Sequence, residues 1–477
     1  MPGIHSFPRG RMNSAWKSAI LVFSFLTLLS ACQTNKGTPE NTIPLAAWIS
    51  GSNTANQAGT YGSLGLAAPS NVPGARHRAV SWVDSGGKFW FFGGWGYDSA
   101  GNISHLSDLW NYDPTTLEWT WVSGSNTVDQ AGSYGTQGTA APSNVPGARD
   151  TAVSWIDSSG NLWLFGGWGY DSAGDIGHLN DLWKYDPATL EWTWVSGSNA
   201  VDQTGTYGTQ GIDAPSNVPG ARHRAVSWTD PSGKLWLFGG YGYDSAGNMG
   251  YLNDRWKYDP TTLEWTWLSG SNTVNQEGTY GTKGKAASSN VPGARDAVVV
   301  WSDSGGNLWL FGGYGCDSAG TQGELNDLWK YDSASIEWTW VSGGSTVNQK
   351  GTYGTQDTTS SADVPGSRDA AVSWIDSTGN LWLFGGYGYD SAGSLGHLND
   401  LWRYDGANWA WLSGSNIMNQ AGAYGTQGTA ASSNFPGARE MSVRWIDSGG
   451  HLWLFGGWGY DSVGSQGELN DLWQYTK

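Results

Sequence analysis

Short apolar or alternating runs, separated by clusters of Gly, Asp, Ser and Pro, recur along the chain from about residue 45 onward. Four such runs make up the first complete unit: AVSWV from Ala79, KFWFF from Lys88, DLWNY from Asp108 and EWTWV from Glu118. Each run is rich in β-branched and aromatic residues and is bounded by turn residues, which is typical of β-strands. Helical periodicity is absent from the pattern. The chain is therefore predicted to be all-β, with four strands in each unit.

The same unit is repeated six times at a nearly constant spacing. The phrase PGAR or PGSR begins at residues 73, 146, 219, 292, 365 and 436, which gives four steps of 73 residues and one of 71. A fixed period indicates repeated structural units rather than separate domains. Units of four strands repeated radially are typical of β-propeller blades. The second run is apolar on both faces, as expected for a strand between neighbouring blades.

The two ends of the chain predict how the ring closes. The last copy ends after its third strand, in DLWQYTK, and has no fourth. The segment LAAWISGSN, from Leu45 to Asn53, matches the fourth-strand segment EWTWVSGSN from Glu118, and no first three strands precede it. This strand would complete the last blade and leave no strand edge open. Residues 45–477 are therefore predicted to form a six-bladed β-propeller closed by an N-terminal strand.

The repeat resembles that of the kelch family. The matching features are the double glycine Gly93 and Gly94 after the second strand, the pair Tyr112 and Asp113 at the end of the third, and Trp119 in the fourth. These features recur in nearly every copy and cover about residues 46–477. The resemblance implies a kelch-type propeller of the galactose-oxidase-like class. The period is longer than the ~50 residues usual for kelch repeats, so each unit carries additional residues.

The additional residues fall in two of the four connections of each unit. The loop GWGYDSAGNISHLS and the connector that begins near Ser125 are long, whereas the turns DSGG and YDPTTLE are tight. In an antiparallel blade the two long connections share one face of the disc, which we call the loop face. Connections beyond ~12–15 residues are usually functional or disordered, and the fixed glycine and aromatic positions argue against disorder.

One aromatic residue in each loop is a candidate for ligand binding, because aromatic rings stack on sugar rings while nearby acids and amides bond to hydroxyl groups. The six candidates are Trp95, Trp168, Tyr241, Tyr314, Tyr387 and Trp458. Packing of loop against loop is the alternative role. Six similar sites around a ring would bind a repeating protein or glycan partner multivalently.

The arginine of each PGAR phrase lies just before the innermost strand, near the central channel, and is a second candidate. These residues are Arg76, Arg149, Arg222, Arg295, Arg368 and Arg439. Guanidinium groups can bind carboxylates bidentately, and the resemblance to kelch domains that recognise acidic peptides implies such a role. The alternative is an intramolecular ion pair with Asp98 and its equivalents. Those aspartates could also ligate Ca²⁺, but their loops lack the EF-hand spacing, which favours Asx turns.

The N-terminal segment predicts export and a lipid anchor. Basic residues precede an apolar run, from Ala19 to Leu29, that is too short to span a membrane. The sequence LLSAC resembles the lipobox of bacterial lipoproteins, which implies that residues 1–31 are a signal peptide, that Cys32 is lipidated and, with Gln33 after it, that the protein is delivered to the outer membrane. A plain signal peptide is the alternative. The polar residues 32–44 are predicted to be a tether.

Charge and motif content limit the function classes. The formal charge of −17 disfavours nucleic acid, and membrane attachment is expected through the lipid alone. The sequence contains no HExxH, no GxSxG and no paired metal cysteines, so no catalytic residue, metal or cofactor is assigned. Residues that depart from the repeat are scattered singly along the chain: Asp213, Arg255, Cys316, Glu324 and Glu468.

We therefore predict a monomeric, non-catalytic binding or scaffolding propeller at the cell envelope, with a protein or glycan partner on the loop face. The alternative is a sugar-directed enzyme of the galactose-oxidase-like or sialic acid mutarotase type, for which the resemblance supplies blade number and compartment but no matching residues.

Overall fold

The computed structural model describes residues 44–476, which form strands, turns and bends. The predictions for the signal peptide, for lipidation of Cys32 and for most of the tether lie outside the described residues. Within the described range no helix is long and apolar enough to cross a membrane.

The strands group into six blades, and the first strand of the chain, β1 (Leu45–Ser50), belongs to the last of them. Blade one contains β2 (Arg76–His77), β3 (Val80–Val83), β4 (Phe89–Phe92), β5 (Trp95–Tyr97), β6 (Ile103–His105), β7 (Leu109–Asp113) and β8 (Glu118–Ser123). Blade two contains β9 (Arg149–Asp150), β10 (Val153–Ile156), β11 (Leu162–Tyr170), β12 (Ile176–Asp186) and β13 (Glu191–Ser196). Blade three contains β14 (Asp213–Ala214), β15 (Arg222–His223), β16 (Val226–Thr229), β17 (Leu235–Tyr243), β18 (Met249–Asp259) and β19 (Glu264–Ser269).

The remaining blades repeat this arrangement. Blade four contains β20 (Arg295–Asp296), β21 (Val299–Ser302), β22 (Leu308–Phe311), β23 (Tyr314–Cys316), β24 (Gln322–Glu324), β25 (Leu328–Asp332) and β26 (Glu337–Ser342). Blade five contains β27 (Arg368–Asp369), β28 (Val372–Ile375), β29 (Leu381–Tyr389), β30 (Leu395–Tyr404) and β31 (Trp409–Ser413). Blade six contains β32 (Arg439–Glu440), β33 (Val443–Ile446), β34 (Leu452–Tyr460) and β35 (Gln466–Thr476), with β1 on its outer edge.

The N-terminal strand closes the ring, as the sequence predicts. Strand β1 pairs antiparallel with β35, with Leu45 opposite Thr476 and Trp48 opposite Trp473. This pairing supplies the fourth strand that the last repeat lacks. The chain is thus a six-bladed β-propeller in which no blade is left with three strands.

Aromatic side chains fill the interfaces between blades. In the interface of blades two and three, Trp163 of β11 packs with Trp256 and Trp265 of β18 and β19, and all three are buried. Phe165 lies 5.3 Å from Trp265, between ring centroids. Because each such contact joins adjacent blades, the high tryptophan content is explained by packing around the ring.

The double glycine lets each blade approach the next. In β11 the register shifts between Phe165 and Gly167, and both Gly166 and Gly167 have positive φ, at 66° and 103°. A Cβ on Gly166 would lie 2.8 Å from the carbonyl oxygen of Arg222 in blade three. Only glycine accommodates this conformation and this contact together.

The long connectors are ordered. In the connector that enters blade three, Thr206 pairs with Val218, and β14 pairs with the outer strand β19. The side chain of Asn217 donates to the carbonyl of Trp265, at 3.0 Å. Each connector therefore runs out to the outer edge of the blade that it enters and returns to the axis.

The PGAR arginine and an aspartate of the third strand form a buried unit that we call the lock. In blade three, Arg222 Nη1 lies 2.6 Å from Asp254 Oδ1, and Nη2 lies 2.8 Å from Oδ2. The hydroxyl of Tyr207, from the connector, and the indole N–H of Trp256 donate to the same carboxylate at 2.6 and 2.7 Å. Arg222 also donates to the carbonyl of Gly239, in the double glycine.

The lock is present in all six blades, and it corrects the predicted role of the arginines. Their partners are Asp108, Asp181, Asp254, Asp327, Asp400 and Asp471. All six guanidinium groups are fully buried, so in this conformation none can contact a ligand. The expected partner Asp98 instead caps its own loop, because Oδ1 accepts from the amides of Ala100 and Asn102 at 2.8 and 2.9 Å, which is the Asx turn.

We expect Arg222→Leu to lower the free energy of unfolding by about 3–5 kcal/mol, because it leaves the Asp254 carboxylate buried without a cation. Urea unfolding of both proteins measures the difference. Asp259→Asn is the matched control, since Asp259 pairs with Lys234 at the partly exposed edge of the same blade and its loss should cost less than about 1 kcal/mol. Equal losses in the two variants would contradict a structural role for the lock.

Candidate functional site

Beyond the double glycine, the second and third strands of every blade continue toward the loop face and carry three side chains in register. In blade two, Trp168 lies opposite Asp150 on one side and opposite His178 on the other. Cross-strand neighbours of this kind share one face of a sheet. Each blade therefore presents an aromatic residue flanked by two variable residues, which we call its triplet.

The triplets place all six predicted aromatic candidates in equivalent positions, each half-buried. In blade order the triplets are His77, Trp95 and His105; Asp150, Trp168 and His178; His223, Tyr241 and Tyr251; Asp296, Tyr314 and Glu324; Asp369, Tyr387 and His397; Glu440, Trp458 and Glu468.

A ring of backbone hydrogen bonds holds the triplets around the axis. The residue two positions after each PGAR arginine donates its amide to the equivalent carbonyl of the preceding blade, at 2.9–3.0 Å. The six members are Arg78, Thr151, Arg224, Ala297, Ala370 and Met441. All have positive φ, from 49° to 62°, and we call the ring the axial belt. Because the bonds close on themselves, the six triplets surround one opening, which we call the mouth.

Triplets of neighbouring blades also touch one another. The ring centroids of His77 and Trp458 are 6.1 Å apart, and those of Tyr251 and Tyr314 are 5.6 Å apart. The aromatic residues thus converge on a shared opening, and the expectation of six separate sites spread around the disc does not fit this placement.

The mouth contains a cavity of about 540 Å³ on the side of blades one to three. Trp168 and Tyr241 contribute aromatic surface to it, His178 lies between them, and Arg78 and Arg224 of the axial belt supply the positive charge. These two arginines are 28% and 24% exposed, so they are accessible where the lock arginines are not. Their ion pairs are loose, at 3.4 Å from Arg78 Nη1 to Asp150 and 3.8 Å from Arg224 Nη1 to Asp296.

Four histidines of the mouth have lowered pKa values that favour the neutral form: His77, His105, His178 and His223. Burial lowers the pKa of His77 and His223 well below the ordinary value, and it lowers the pKa of His105 and His178 as well. Nearby arginines act in the same direction on His77 and His223. Neutral imidazoles can both donate and accept hydrogen bonds.

Four carboxyl groups of blades four to six have raised pKa values, which is the opposite direction to the histidines. Burial raises the pKa of Asp296 to about 7, that of Glu468 to about 9 and that of Glu324 to about 10. Burial and the carboxylate of Glu440 raise the pKa of Asp369. Glu324 and Glu468 therefore retain protons at neutral pH, whereas Asp296 is close to half-protonated there. Glu468 Oε2 lies 2.8 Å from His77 Nδ1. The mouth has two chemically different halves.

Several buried polar atoms of the mouth have no hydrogen-bond partner within residues 44–476. They are Arg78 Nε, both ring nitrogens of His105 and of His178, His223 Nδ1, Asp296 Oδ1, Glu324 Oε2, Asp369 Oδ1, His397 Nε2 and Glu468 Oε1. Buried polar atoms are nearly always bonded in native proteins, to the protein, to water or to a ligand. Their concentration at the mouth marks it as the candidate functional site.

The structure corrects the view that departures from the repeat are scattered. Glu324 and Glu468 occupy the same triplet position in blades four and six, so both lie at the mouth. The structure adds to the candidates the charged residues that follow the PGAR phrase, such as Arg78 and Arg224, which the sequence alone does not single out. The available signal was that two variable residues follow an otherwise constant phrase in every copy.

No metal centre is evident in the described part of the chain, where no three His, Cys, Asp or Glu side chains are grouped as ligands. Cys316 is buried in β23, and burial raises the pKa of its thiol, which opposes reactivity.

Comparisons with known proteins bear on the fold. No family model matches the chain, and no curated protein matches its sequence. Among 367 solved chains with a similar structure is one described as "Structure of YjhT", which is 15% identical, with a TM-score of 0.50, and the match covers 85% of this chain and 96% of that one. A large number of distant matches is expected for a widely used architecture. At 15% identity the similarity concerns the fold alone.

We expect Asp296 to contribute a fall in stability as the pH rises from about 4 to about 7, because its folded-state pKa is raised from 3.8 to about 7 and ionisation is disfavoured in the folded protein. The lowered pKa values of the buried histidines contribute in the opposite direction. Asp296→Asn should make this fall shallower, as measured by urea unfolding across the pH range. Asp213→Asn, at an exposed position of β14, is the control and should leave the slope unchanged. A steeper fall in Asp296→Asn would contradict the assignment.

Proposed function

We propose that this protein is a binding propeller whose ligand is a glycan held in the mouth. The observation that supports the proposal is the convergence of aromatic rings, accessible arginines and unpartnered polar atoms on one cavity at the loop face. Residues that only stabilise a blade are repeated six times, whereas these residues differ from blade to blade. Such variation fits recognition of one asymmetric ligand.

The chemistry of the cavity suits a sugar that carries a carboxylate. Its volume of about 540 Å³ lies within the range of small-ligand sites. Trp168 and Tyr241 offer rings on which a sugar can stack, and His178 Nε2, which has no partner among residues 44–476, can bond to a hydroxyl group. Arg78 and Arg224 can exchange their loose aspartate contacts for a bidentate pair with a ligand carboxylate.

The proposed setting is the outer membrane, with the propeller tethered through lipidated Cys32 and acting as a monomer. A protein partner that inserts an acidic side chain into the mouth is the other occupant that this chemistry would accept. In either case the partner approaches the loop face, because the axial belt separates the mouth from the channel on the other side.

We expect Trp168→Ala to weaken binding of an acidic oligosaccharide at least tenfold, since stacking on the cavity wall is lost. The ligand is first selected on a glycan array, and its affinity is then measured by calorimetry. Tyr387→Ala is the matched control, because Tyr387 holds the same strand position in blade five but does not line the cavity. Its affinity should change less than about threefold.

Equal losses in Trp168→Ala and Tyr387→Ala would contradict a single cavity and favour six equivalent sites. Preference of the array for neutral over acidic glycans would contradict the role given to Arg78 and Arg224.

A sugar-directed enzyme is the second candidate, and one contact favours it. Glu468, whose pKa is raised to about 9, lies 2.8 Å from a ring nitrogen of neutral His77. A protonated carboxylic acid beside a neutral base is the arrangement that general acid–base catalysis requires. Opening and closing of a sugar ring needs one group to donate a proton and another to accept one.

If the protein has this activity, it should speed the interconversion of sugar anomers followed by proton NMR, and Glu468→Gln should lower the rate at least tenfold. Ser172→Ala, on an exposed loop of blade two, should retain the full rate. Unchanged interconversion on addition of wild-type protein, with every sugar that binds, would exclude this candidate.

A further inference from the structure

A second cavity lies along the axis, on the other side of the axial belt from the mouth. In blade one the chain passes from the mouth at His77, through the belt at Arg78, to the innermost strand β3. The innermost strands of the blades enclose a channel of about 580 Å³. Its walls are made of aliphatic, tryptophan and hydroxyl side chains.

One position of the innermost strand carries the same small hydroxyl residue in most blades. Four blades carry serine there, and each serine hydroxyl donates to the equivalent carbonyl of the preceding blade. These bonds run from Ser81 to Arg444, from Ser154 to Ser81, from Ser227 to Ser154 and from Ser373 to Val300, at 2.9–3.2 Å. The position is therefore neutral and satisfied within the ring.

Blade six carries Arg444 at this position. Among residues 44–476 the guanidinium of Arg444 has neither a hydrogen bond nor an ion pair, and Arg444 is the sole charged residue of the channel lining. Burial lowers the pKa of Arg444 to about 10, the direction expected when no anion compensates the charge. The lock arginines, by contrast, each have an aspartate.

We propose that Arg444 binds a small oxyanion in the axial channel. Arg444 is half-buried in the channel wall, where partial removal from water makes an uncompensated charge costly, and a bound anion lowers that cost. The planar guanidinium can form two parallel hydrogen bonds to the two oxygens of a carboxylate or phosphate group. A monatomic anion cannot accept such a pair of bonds. A channel of about 580 Å³ has room for such an anion and its water.

The net charge of the whole protein limits the expected affinity of Arg444 for an anion. A formal charge of −17 repels anions at long range, so binding depends on the local pair and should be in the millimolar range. The site is independent of the proposed glycan site, because the belt lies between the two and they share no residue.

The test is thermal unfolding of the protein in sodium phosphate, acetate or chloride, at constant ionic strength in a zwitterionic buffer. We expect the melting temperature of the wild-type protein to rise with phosphate and acetate and to saturate, because a ligand that binds the folded state stabilises it. Chloride should raise it less. Calorimetry with phosphate should give an affinity at least tenfold weaker for Arg444→Ser.

Arg444→Ser restores the residue of four other blades, so it is expected to fold, and Arg444→Met is a second variant that keeps the bulk of the side chain. In buffer without oxyanion both variants should melt at or above the wild-type temperature, and phosphate should not raise their melting temperatures. Lys88→Ser is the control, because it removes a positive charge from an exposed side chain just before β4 and should keep the full response.

Two results would overturn the proposal. One is a response to phosphate and acetate that is the same in the wild-type protein and in both Arg444 variants. The other is an equal response of the wild-type protein to chloride, which would show that charge alone, and not the two oxygens of an oxyanion, is recognised.

Discussion

The buried ion pair of the lock is the interaction on which the rest of the structure depends. Its carboxylate receives two bonds from arginine, one from tyrosine and one from tryptophan, which offsets the cost of removing both charges from water. The arginine also binds the double glycine, so the unit joins the connector, the second strand and the third strand. The first residue of each triplet and the belt residue follow the arginine directly, and their positions are therefore fixed by the lock.

The mouth shows how a repeated scaffold holds an asymmetric site. Blades one and three supply the two accessible arginines, whereas blades four to six supply four buried carboxyl groups with raised pKa values. The backbone around these residues is the same in every blade, because the strand register is the same. Chemical difference is therefore confined to side chains, and the framework that positions them is not disturbed.

The sequence predicts the fold far better than it predicts the site. Strand pattern, period and the displaced strand at Leu45 are local features, and the six blades and their closure follow from them. The partner of each PGAR arginine cannot be read from local features. For Arg76, both Asp98 and Asp108 lie within reach along the chain, and only packing selects Asp108. Departures from the repeat are equally ambiguous: Arg255 is buried between blades, 3.9 Å from the ring of Tyr331, while Glu468 faces the mouth.

The axial belt consists of backbone bonds only, and the side chains of its members vary in size from alanine, as at Ala297, to arginine, as at Arg224. Any side chain that tolerates the left-handed conformation can stand there without breaking the ring. A gene built by duplication of one blade can therefore acquire a binding site by point substitutions, blade by blade, without breaking the backbone bonds of the belt. For the same reason, an engineer could exchange the belt and triplet residues of a single blade and redesign specificity without redesigning the scaffold.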